Sequence, residues 1–187
     1  ANITADDIFV QFSNPNPTST VSAGTTIGVG PVGYTFDNDI AANTIAFAVV
    51  GFSAEEGGIF QLSGNLGFSK SGLLPEILGV GNDVTVRLEV DSSVYVELAH
   101  ADFGMIAGSG QFAFELKNGA LDIALAPLAD VTADEIFVQF TNLTTLVEAG
   151  TTVAVGQVSY TFDQKILPNT IAFATVNLNA NVAGILS

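Results

Sequence analysis

Hydrophobic and polar residues alternate with the two-residue period of a β-strand in the middle of the chain. Over residues 84–90 and 94–98 every second residue is Val or Leu, and Asp-Ser-Ser lies between the two runs. This pattern predicts an antiparallel hairpin in which Val90 faces Val94. The register then places Val86 opposite Leu98, Leu88 opposite Val96, and Arg87 opposite Glu97 as an ion pair on the other face.

The same alternation returns over residues 112–116 and 121–125, on either side of Asn118-Gly119. Asn-Gly favours the positive φ angles of a type I′ turn, so a second hairpin is predicted, with Phe112 opposite Leu125, Phe114 opposite Ile123 and Leu116 opposite Leu121. Its register sets Glu115 opposite Asp122 on the outer face. Two like charges in that position repel each other.

Two parts of the chain repeat each other. Residues 3–12 read ITADDIFVQF and residues 131–140 read VTADEIFVQF; AGTTIGVG at 23–30 matches AGTTVAVG at 149–156. YTFD recurs at 34–37 and 160–163, and NTIAFA at 43–48 and 169–174. We call residues 3–61 the first copy, residues 62–130 the central segment and residues 131–187 the second copy. Repeated units of this kind usually need a neighbour to bury their apolar face.

Both copies contain short runs that are apolar on both faces and are therefore predicted to be central strands, at residues 8–12, 44–50, 136–140 and 170–176. A loop is predicted at residues 14–17 and one helical turn at residues 73–78. The expected fold is a single all-β unit over residues 1–187, an antiparallel β-sandwich or jelly-roll-like structure with little helix. The second copy has three options: it adds strands to the same sheets, packs as a counterpart of the first copy, or completes a neighbouring subunit.

Composition limits the possible partners. The chain has 19 acidic and 4 basic residues and a net charge of −15, which argues against nucleic acid and anionic membrane surfaces. A hydrophobic content of 48% and a mean hydropathy of +0.49 indicate burial on more than one side. The longest apolar run, residues 45–50, is too short for a spanning helix, so no membrane insertion is expected. A start at Ala1 suits a mature secreted protein, and we expect an extracellular or cell-surface location.

Carboxylates are the abundant chemical resource. The spacing Asp37-Asn38-Asp39 suits Ca²⁺, and adjacent acidic pairs occur near the start of each copy. Calcium is the possible cofactor, although the second copy has Lys165 where the first has Asp39. The favoured alternative is that these side chains cap turns and discourage aggregation. The candidate metal ligands are Asp6, Asp7, Asp37, Asp39, Asp134, Glu135 and Asp163.

No catalytic residue is predicted. His100 and Asp102 share the two-residue spacing of a base and its orienting carboxylate, but the strand pattern favours a structural histidine on the apolar face of Val94 and Leu98. The sequence has no Cys and no nucleophile elbow of the GxSxG type. Tyr34 and Tyr160 are the only repeated candidates for a glycan platform.

The sequence therefore predicts a non-enzymatic, secreted structural protein: a subunit of an extracellular filament, surface layer or adhesin. It would associate with copies of itself by β-strand addition, through the N-terminal segment or the end of the second copy. The predicted exchange residues are Ile3, Ile8, Phe9, Val10 and Phe12. The alternative is a carbohydrate-binding or repeat module of a large bacterial surface adhesin, with calcium as its candidate cofactor and a glycan as partner.

Overall fold

A computed structural model describes residues 1–13, 20–71 and 76–183. Within them it has fourteen β-strands and no helix. The strands are β1 (Asn2–Thr4), β2 (Asp7–Phe12), β3 (Thr26–Val29), β4 (Val32–Thr35), β5 (Ile45–Glu56), β6 (Phe60–Ser71), β7 (Glu76–Asp91), β8 (Val94–Gly108), β9 (Gln111–Leu125), β10 (Ala129–Thr141), β11 (Thr152–Val155), β12 (Val158–Thr161), β13 (Ile171–Val176) and β14 (Asn179–Val182).

Ten of the strands form one antiparallel sheet. Its order is β1-β5-β6-β7-β8-β9-β10-β13, with β2 following β1 along β5 and β14 following β13 along β10. The remaining strands form two hairpins, β3–β4 and β11–β12, and the second of these packs on the large sheet as a second layer. The all-β, antiparallel and layered fold expected from the sequence is confirmed.

The hairpin of β7 and β8 has the predicted register between Val86 and Leu88. Its turn differs: Asp91, not Val90, pairs with Val94, because a register shift separates Glu89 from Asp91. The prediction that Val90 faces Val94 is therefore wrong. Val86 pairs with Leu98, Leu88 with Val96 and Arg87 with Glu97, and the Arg87 guanidinium donates to the Glu97 carboxylate at 2.9 Å. Arg87 also lies 3.9 Å from the Tyr95 ring centre. Its pKa is raised further by its hydrogen bonds to Glu97 and Glu89.

The predicted turn at Asn118-Gly119 is wrong. β9 runs straight through these residues and pairs with β8 on one side and β10 on the other. Asn118 does have the predicted positive φ, 62°, but it serves at an irregularity between β9 and β10. Glu115 consequently pairs with Gly104 and Gln139 rather than with Asp122. The partner strands overrule the local turn preference of Asn-Gly because both edges of β9 are already occupied.

Irregularities of this kind interrupt neighbouring long strands, and together they form a line across the sheet. Register shifts separate Val49 from Phe52 in β5, Ser63 from Asn65 in β6, Gly81 from Val84 in β7 and Ala133 from Ile136 in β10. Short polar side chains bridge neighbouring strands along this line, including Asn118 to Asp102 at 2.7 Å and Asn177 to Asp134 at 2.7 Å. The line divides the sheet into two halves with separate side-chain alternation, since a bulge changes which residues face each side.

The two copies pair their strands in the same way. Asp7 faces Val50 and Phe12 faces Ile45 in β2–β5, while Glu135 faces Val176 and Phe140 faces Ile171 in β10–β13. The second copy therefore takes the first of its three options and adds strands to the same sheet. Of the predicted central runs, residues 45–50 and 136–140 lie inside the sheet, and Thr44 lies just before β5. Residues 8–12 and 170–176 were predicted to be central but form its two ends, because the strands that would flank them are absent from the described chain.

Two further predictions concern parts of the chain that are only partly described. The loop at residues 14–17 and residues 73–75 of the predicted helical turn lie outside the described residues. Residues 76–78 of that turn begin strand β7. The helical prediction at those three positions is therefore wrong, since residues 76–78 pair with β6 and β8.

A lateral row of residues, with small side chains from Ala48 to Gly104, forms the floor on which β11–β12 packs. Neighbouring residues across the sheet read Phe9, Ala48, Gly67, Val80, Gly104, Glu115 and Gln139. A Cβ atom on Gly104 would lie 2.3 Å from the Tyr160 ring, and one on Gly67 would lie 2.9 Å from the Val155 side chain. The glycines thus let the hairpin approach the sheet backbone, and the buried core forms between the two layers.

Substitution of Gly104 by Ala should destabilise the protein by about 1–3 kcal/mol, because the added methyl group forces the Tyr160 ring out of a packed layer. Gly28→Ala is the matched control: no neighbouring atom would lie closer than 3.9 Å to the added methyl carbon, and the second copy has Ala154 there. Urea unfolding would compare the two variants. Equal midpoints would contradict this account of the glycine row.

Candidate functional site: a docked hairpin and its exposed counterpart

The hairpin β11–β12 crosses the large sheet from one side to the other. Its side chains that face the sheet are among the most buried in the described chain: Phe162 and Ile166 are fully buried and Tyr160 is 3% exposed. At its tip, Gly156 lies against Phe9 of β2, and the Gln157 amide donates to Asp7 at 2.8 Å. The second copy therefore spans the sheet back to the first copy.

A buried carboxylate holds the base of this hairpin. Glu115 of β9 is fully buried and accepts three hydrogen bonds. They come from the Gln139 amide at 2.6 Å, the Tyr160 hydroxyl at 2.7 Å and the Asp163 backbone N–H at 3.1 Å. Because a buried charge is costly unless its hydrogen bonds are satisfied, these three donors fix the hairpin in one position on the sheet.

A salt bridge closes the same cluster toward solvent. The Lys117 ammonium lies 2.6 Å from the Asp163 carboxylate and 4.9 Å from the Tyr160 ring centre. Burial of the Tyr160 hydroxyl, together with its hydrogen bond to Glu115, raises the pKa of that phenol well above its usual range. All the groups of the cluster are paired with one another, and together they clamp the hairpin to the sheet.

The corresponding hairpin of the first copy has the same local structure. Thr26 faces Thr35 in β3–β4 as Thr152 faces Thr161 in β11–β12, and in both pairs the hydroxyls are hydrogen bonded, at 2.8 Å and 2.9 Å. Tyr34 meets Phe36 edge-on at 5.2 Å, as Tyr160 meets Phe162 at 5.3 Å. The two hairpins are therefore preformed in the same shape.

The environments of the two hairpins differ along their strands, although Ile40 after β4 is buried like its counterpart Ile166. β3 and β4 pack mainly on each other, whereas β11 and β12 pack on β5, β6, β7 and β8. Matched side chains are exposed in the first copy and buried in the second: Ile27 55% against Val153 4%, Val32 70% against Val158 2%, and Tyr34 58% against Tyr160 3%. The first copy thus presents in solvent the surface that the second copy buries.

Tyr34 and Tyr160 were the candidate glycan platforms. The structure leaves only Tyr34 exposed, because Tyr160 lies over Gly104 beneath the hairpin. A pair of matched platforms is therefore ruled out at these positions. Tyr34 borders a pocket that also contains Phe9, Phe36 and Gln157.

The predicted metal ligands take part in local structural contacts. Asp39 accepts from the Ala23 backbone N–H at 2.7 Å, Asp7 accepts from Gln157, Asp134 from Asn177, and Asp163 pairs with Lys117. Asp6 lies against Gly51, and Glu135 pairs with Val176 across β10–β13. Among the residues that the structure describes, no three acidic or histidine side chains gather as a metal site. Calcium binding stays a prediction.

His100 lies at the line of irregularities and not on the apolar face of β8. Its φ is 58°, its side chain is 75% exposed, and its Nδ1 atom contacts the Asp83 carboxylate. Asp102 instead accepts from the Asp83 N–H and from Asn118. The two residues therefore do not face each other as a base and its orienting carboxylate, and the prediction that His100 continues the apolar face is wrong because the irregularity turns it outward.

The predicted exchange segment pairs with its own chain. Ile3 of β1 faces Ala54, and residues 7–12 face residues 45–50, all on β5. Ile3, Ile8, Val10 and Phe12 are nonetheless 60–71% exposed, while Phe9 is half-buried beside Gly156. Exchange of this segment between subunits stays a prediction.

Sequence reasoning missed Glu115, Gln139 and Lys117 as a cluster. It placed Glu115 on a solvent-facing surface, and that position is wrong because β11–β12 covers this face of β9. The local sequence carries no signal for the cluster, since its members come from β9, β10 and β12 and meet only through the sheet register.

Comparison of the chain with protein-family models, with curated proteins and with solved structures finds no match. In the described ranges no helix is long and apolar enough to cross a membrane.

Loss of the Tyr160 hydroxyl should destabilise the protein by about 1–3 kcal/mol at pH 7, because Glu115 then loses one of its donors. Tyr160→Phe tests this by urea unfolding. Tyr34→Phe, at the matched position of the exposed hairpin, is expected to change the free energy of unfolding by less than about 0.5 kcal/mol.

The pH dependence has a definite sign. The folded state raises the Tyr160 pKa above its unfolded value of 10.0, so the stabilisation is complete below pH 10 and is lost as the pH rises beyond it. Between about pH 10 and pH 11.5 the wild-type protein should therefore lose more stability than Tyr160→Phe, and the gap between them should narrow. Parallel curves over that range would contradict the assignment.

Proposed function

We propose that the protein is a non-enzymatic structural subunit that self-associates by β-strand addition, in an extracellular filament, surface layer or adhesin. The observation that supports this proposal is the open sheet. Its two outer edges are formed by β1–β2 and β13–β14, one from each copy, and within the described residues neither edge is covered by another strand.

Strand direction at the two ends favours addition of one copy to the next. Each strand in the order β2, β5, β6, β7, β8, β9, β10 and β13 runs antiparallel to its neighbour. With eight positions, β2 and β13 run in opposite directions. A β2 edge placed beside the β13 edge of another molecule therefore continues the antiparallel pattern. A contact of this kind is head-to-tail and open, and repeated contacts give a fibre.

The uncovered face of the sheet supplies an apolar stripe that reaches both edges. The residues along it, from β2 to β13, are Val10, Phe47, Phe68, Gly79, Met105, Phe114, Phe140 and Ile171. Exposure is greatest at its ends, 66% for Val10 and 81% for Ile171. Strand addition would join these ends and bury both, which adds apolar burial to the main-chain hydrogen bonds.

The net charge of −15 also supports the proposal, because it disfavours contacts elsewhere on the surface. Acidic side chains solvate the turns and surfaces that stay outside the contact and oppose unordered aggregation. Association is then directed to the sheet edges.

Light scattering and electron microscopy of the purified chain, with and without Ca²⁺, test the proposal. Ile171→Lys with Phe173→Lys places two cations at the β13 edge, and association should weaken at least about tenfold. The control is Leu88→Lys with Val90→Lys: these side chains are also exposed but belong to the interior strand β7. A wild-type chain that is a monodisperse monomer in both conditions, or an edge variant that assembles like the control, would overturn the proposal.

A further inference from the structure

We infer that the hairpin β3–β4 is a docking element. Its binding surface is the face of a second sheet with strands like β6–β9, on which no other hairpin is packed. This inference rests on the proposed function and names the surfaces by which one unit holds another. It starts from a single comparison: a nearly identical hairpin, β11–β12, is seen docked on such a sheet in the same chain.

The side chains that make the docked contact are retained in the exposed hairpin. Residues 23–36 and 149–162 differ at four of fourteen aligned positions: 27/153, 28/154, 31/157 and 33/159. Of the second-copy residues at these positions, Ala154, Gln157 and Ser159 are exposed, and only Val153 is buried against the sheet. Its counterpart Ile27 is larger by one methylene group. The first hairpin thus carries the same Val, Tyr and Phe pattern that fits over Gly67, Val80 and Gly104.

The side chains that make the polar contacts of the docked hairpin have counterparts in the exposed one as well. Tyr34 corresponds to Tyr160, whose hydroxyl donates to Glu115, and Asp37 corresponds to Asp163, which pairs with Lys117. A second sheet of this kind offers a carboxylate equivalent to that of Glu115 and an ammonium equivalent to that of Lys117. Docking of β3–β4 would therefore satisfy its polar groups in the same way.

The topology shows why β3–β4 has no such sheet in its own chain. The segment that contains β11–β12 leaves β10 and crosses β9, β8 and β7, which lie on one side of β10. β2 occupies the position equivalent to β10, but the described chain has no strand on that side of β2. The hairpin of the first copy consequently lacks a floor, and the floor in its own molecule is already taken by β11–β12.

The position of the two hairpins continues one layer. The tip of β11–β12, at Gly156 and Gln157, shares a pocket with Tyr34, Phe36 and Ile40 at the base of β3–β4. A second sheet beside the free edge of β2 would be covered by β3–β4 as this sheet is covered by β11–β12. In a copy of this chain that face is occupied by its own β11–β12, so β3–β4 docks only on a partner whose sheet face is vacant.

The fit is tested first within the intact chain. Four substitutions, Val153→Ile, Ala154→Gly, Gln157→Pro and Ser159→Gly, give the docked hairpin the sequence of the exposed one. The variant is expected to fold, with the amides of residues 152–161 as protected from hydrogen exchange as in the wild type to within about tenfold. Loss of that protection in a folded protein would show that the exposed sequence does not fit the sheet and would overturn the inference.

Docking between molecules is tested by vacating the sheet. Phe162→Asp should release β11–β12, since its side chain is fully buried, and each molecule then offers one free sheet face and one free β3–β4 hairpin. The measurement is made in the background of Ile171→Lys with Phe173→Lys, which weakens association through the β13 edge. The expected result there is a rise to at least twice the mass of that edge variant by light scattering. Adding Tyr34→Asp and Phe36→Asp should restore the mass of the edge variant. A monomeric release variant, or assembly that persists without Tyr34 and Phe36, would contradict the inference.

Gly104→Val is the matched control, because its side chain would displace Tyr160 and also block the face against a second hairpin. It should release β11–β12 without gain in mass. Circular dichroism checks that each variant keeps its sheet, and the four-residue variant decides the question if Phe162→Asp unfolds. A wild-type monomer would overturn the proposed edge association alone, because docking of β3–β4 on a vacated sheet is measured separately.

Discussion

Packing of one short hairpin on a row of small residues is the constraint on which the rest of this structure depends. Ala48, Gly67, Val80 and Gly104 leave a shallow channel across the sheet, and β11–β12 fills it. Without the hairpin, this face of the sheet would expose its apolar side chains to water, as the opposite face does. The hairpin removes them from water at the centre of the sheet and, through Glu115, fixes its own position.

The same constraint explains why two nearly identical segments end in different environments. Local sequence gives both copies the same strand pairing and the same hairpin shape. Each hairpin is then buried only if further strands lie on the side of its copy that the hairpin crosses. The second copy has the central segment on that side, and the first copy has an open edge. The difference in burial between the two copies follows from their positions along the chain and not from differences between their residues.

Much of the architecture could be predicted from alternation alone. The register of Arg87 with Glu97 follows from the spacing of Val and Leu, since a one-residue slip would expose the whole apolar set. Asn118-Gly119 shows where that reasoning ends. A positive φ at Asn118 suits a turn or a bulge equally well, and only the occupied edges of β9 select the bulge. The clamp around Glu115 was beyond local reasoning, because its partners come from strands far apart in sequence.

The most direct test of this account is hydrogen exchange of the two hairpins in the wild-type chain, measured by mass spectrometry. The amides of residues 152–161 should exchange at least about 100-fold more slowly than those of residues 26–35, although the two sequences are nearly the same. Equal exchange rates in a monomeric protein would contradict the claim that one hairpin is docked and the other is free.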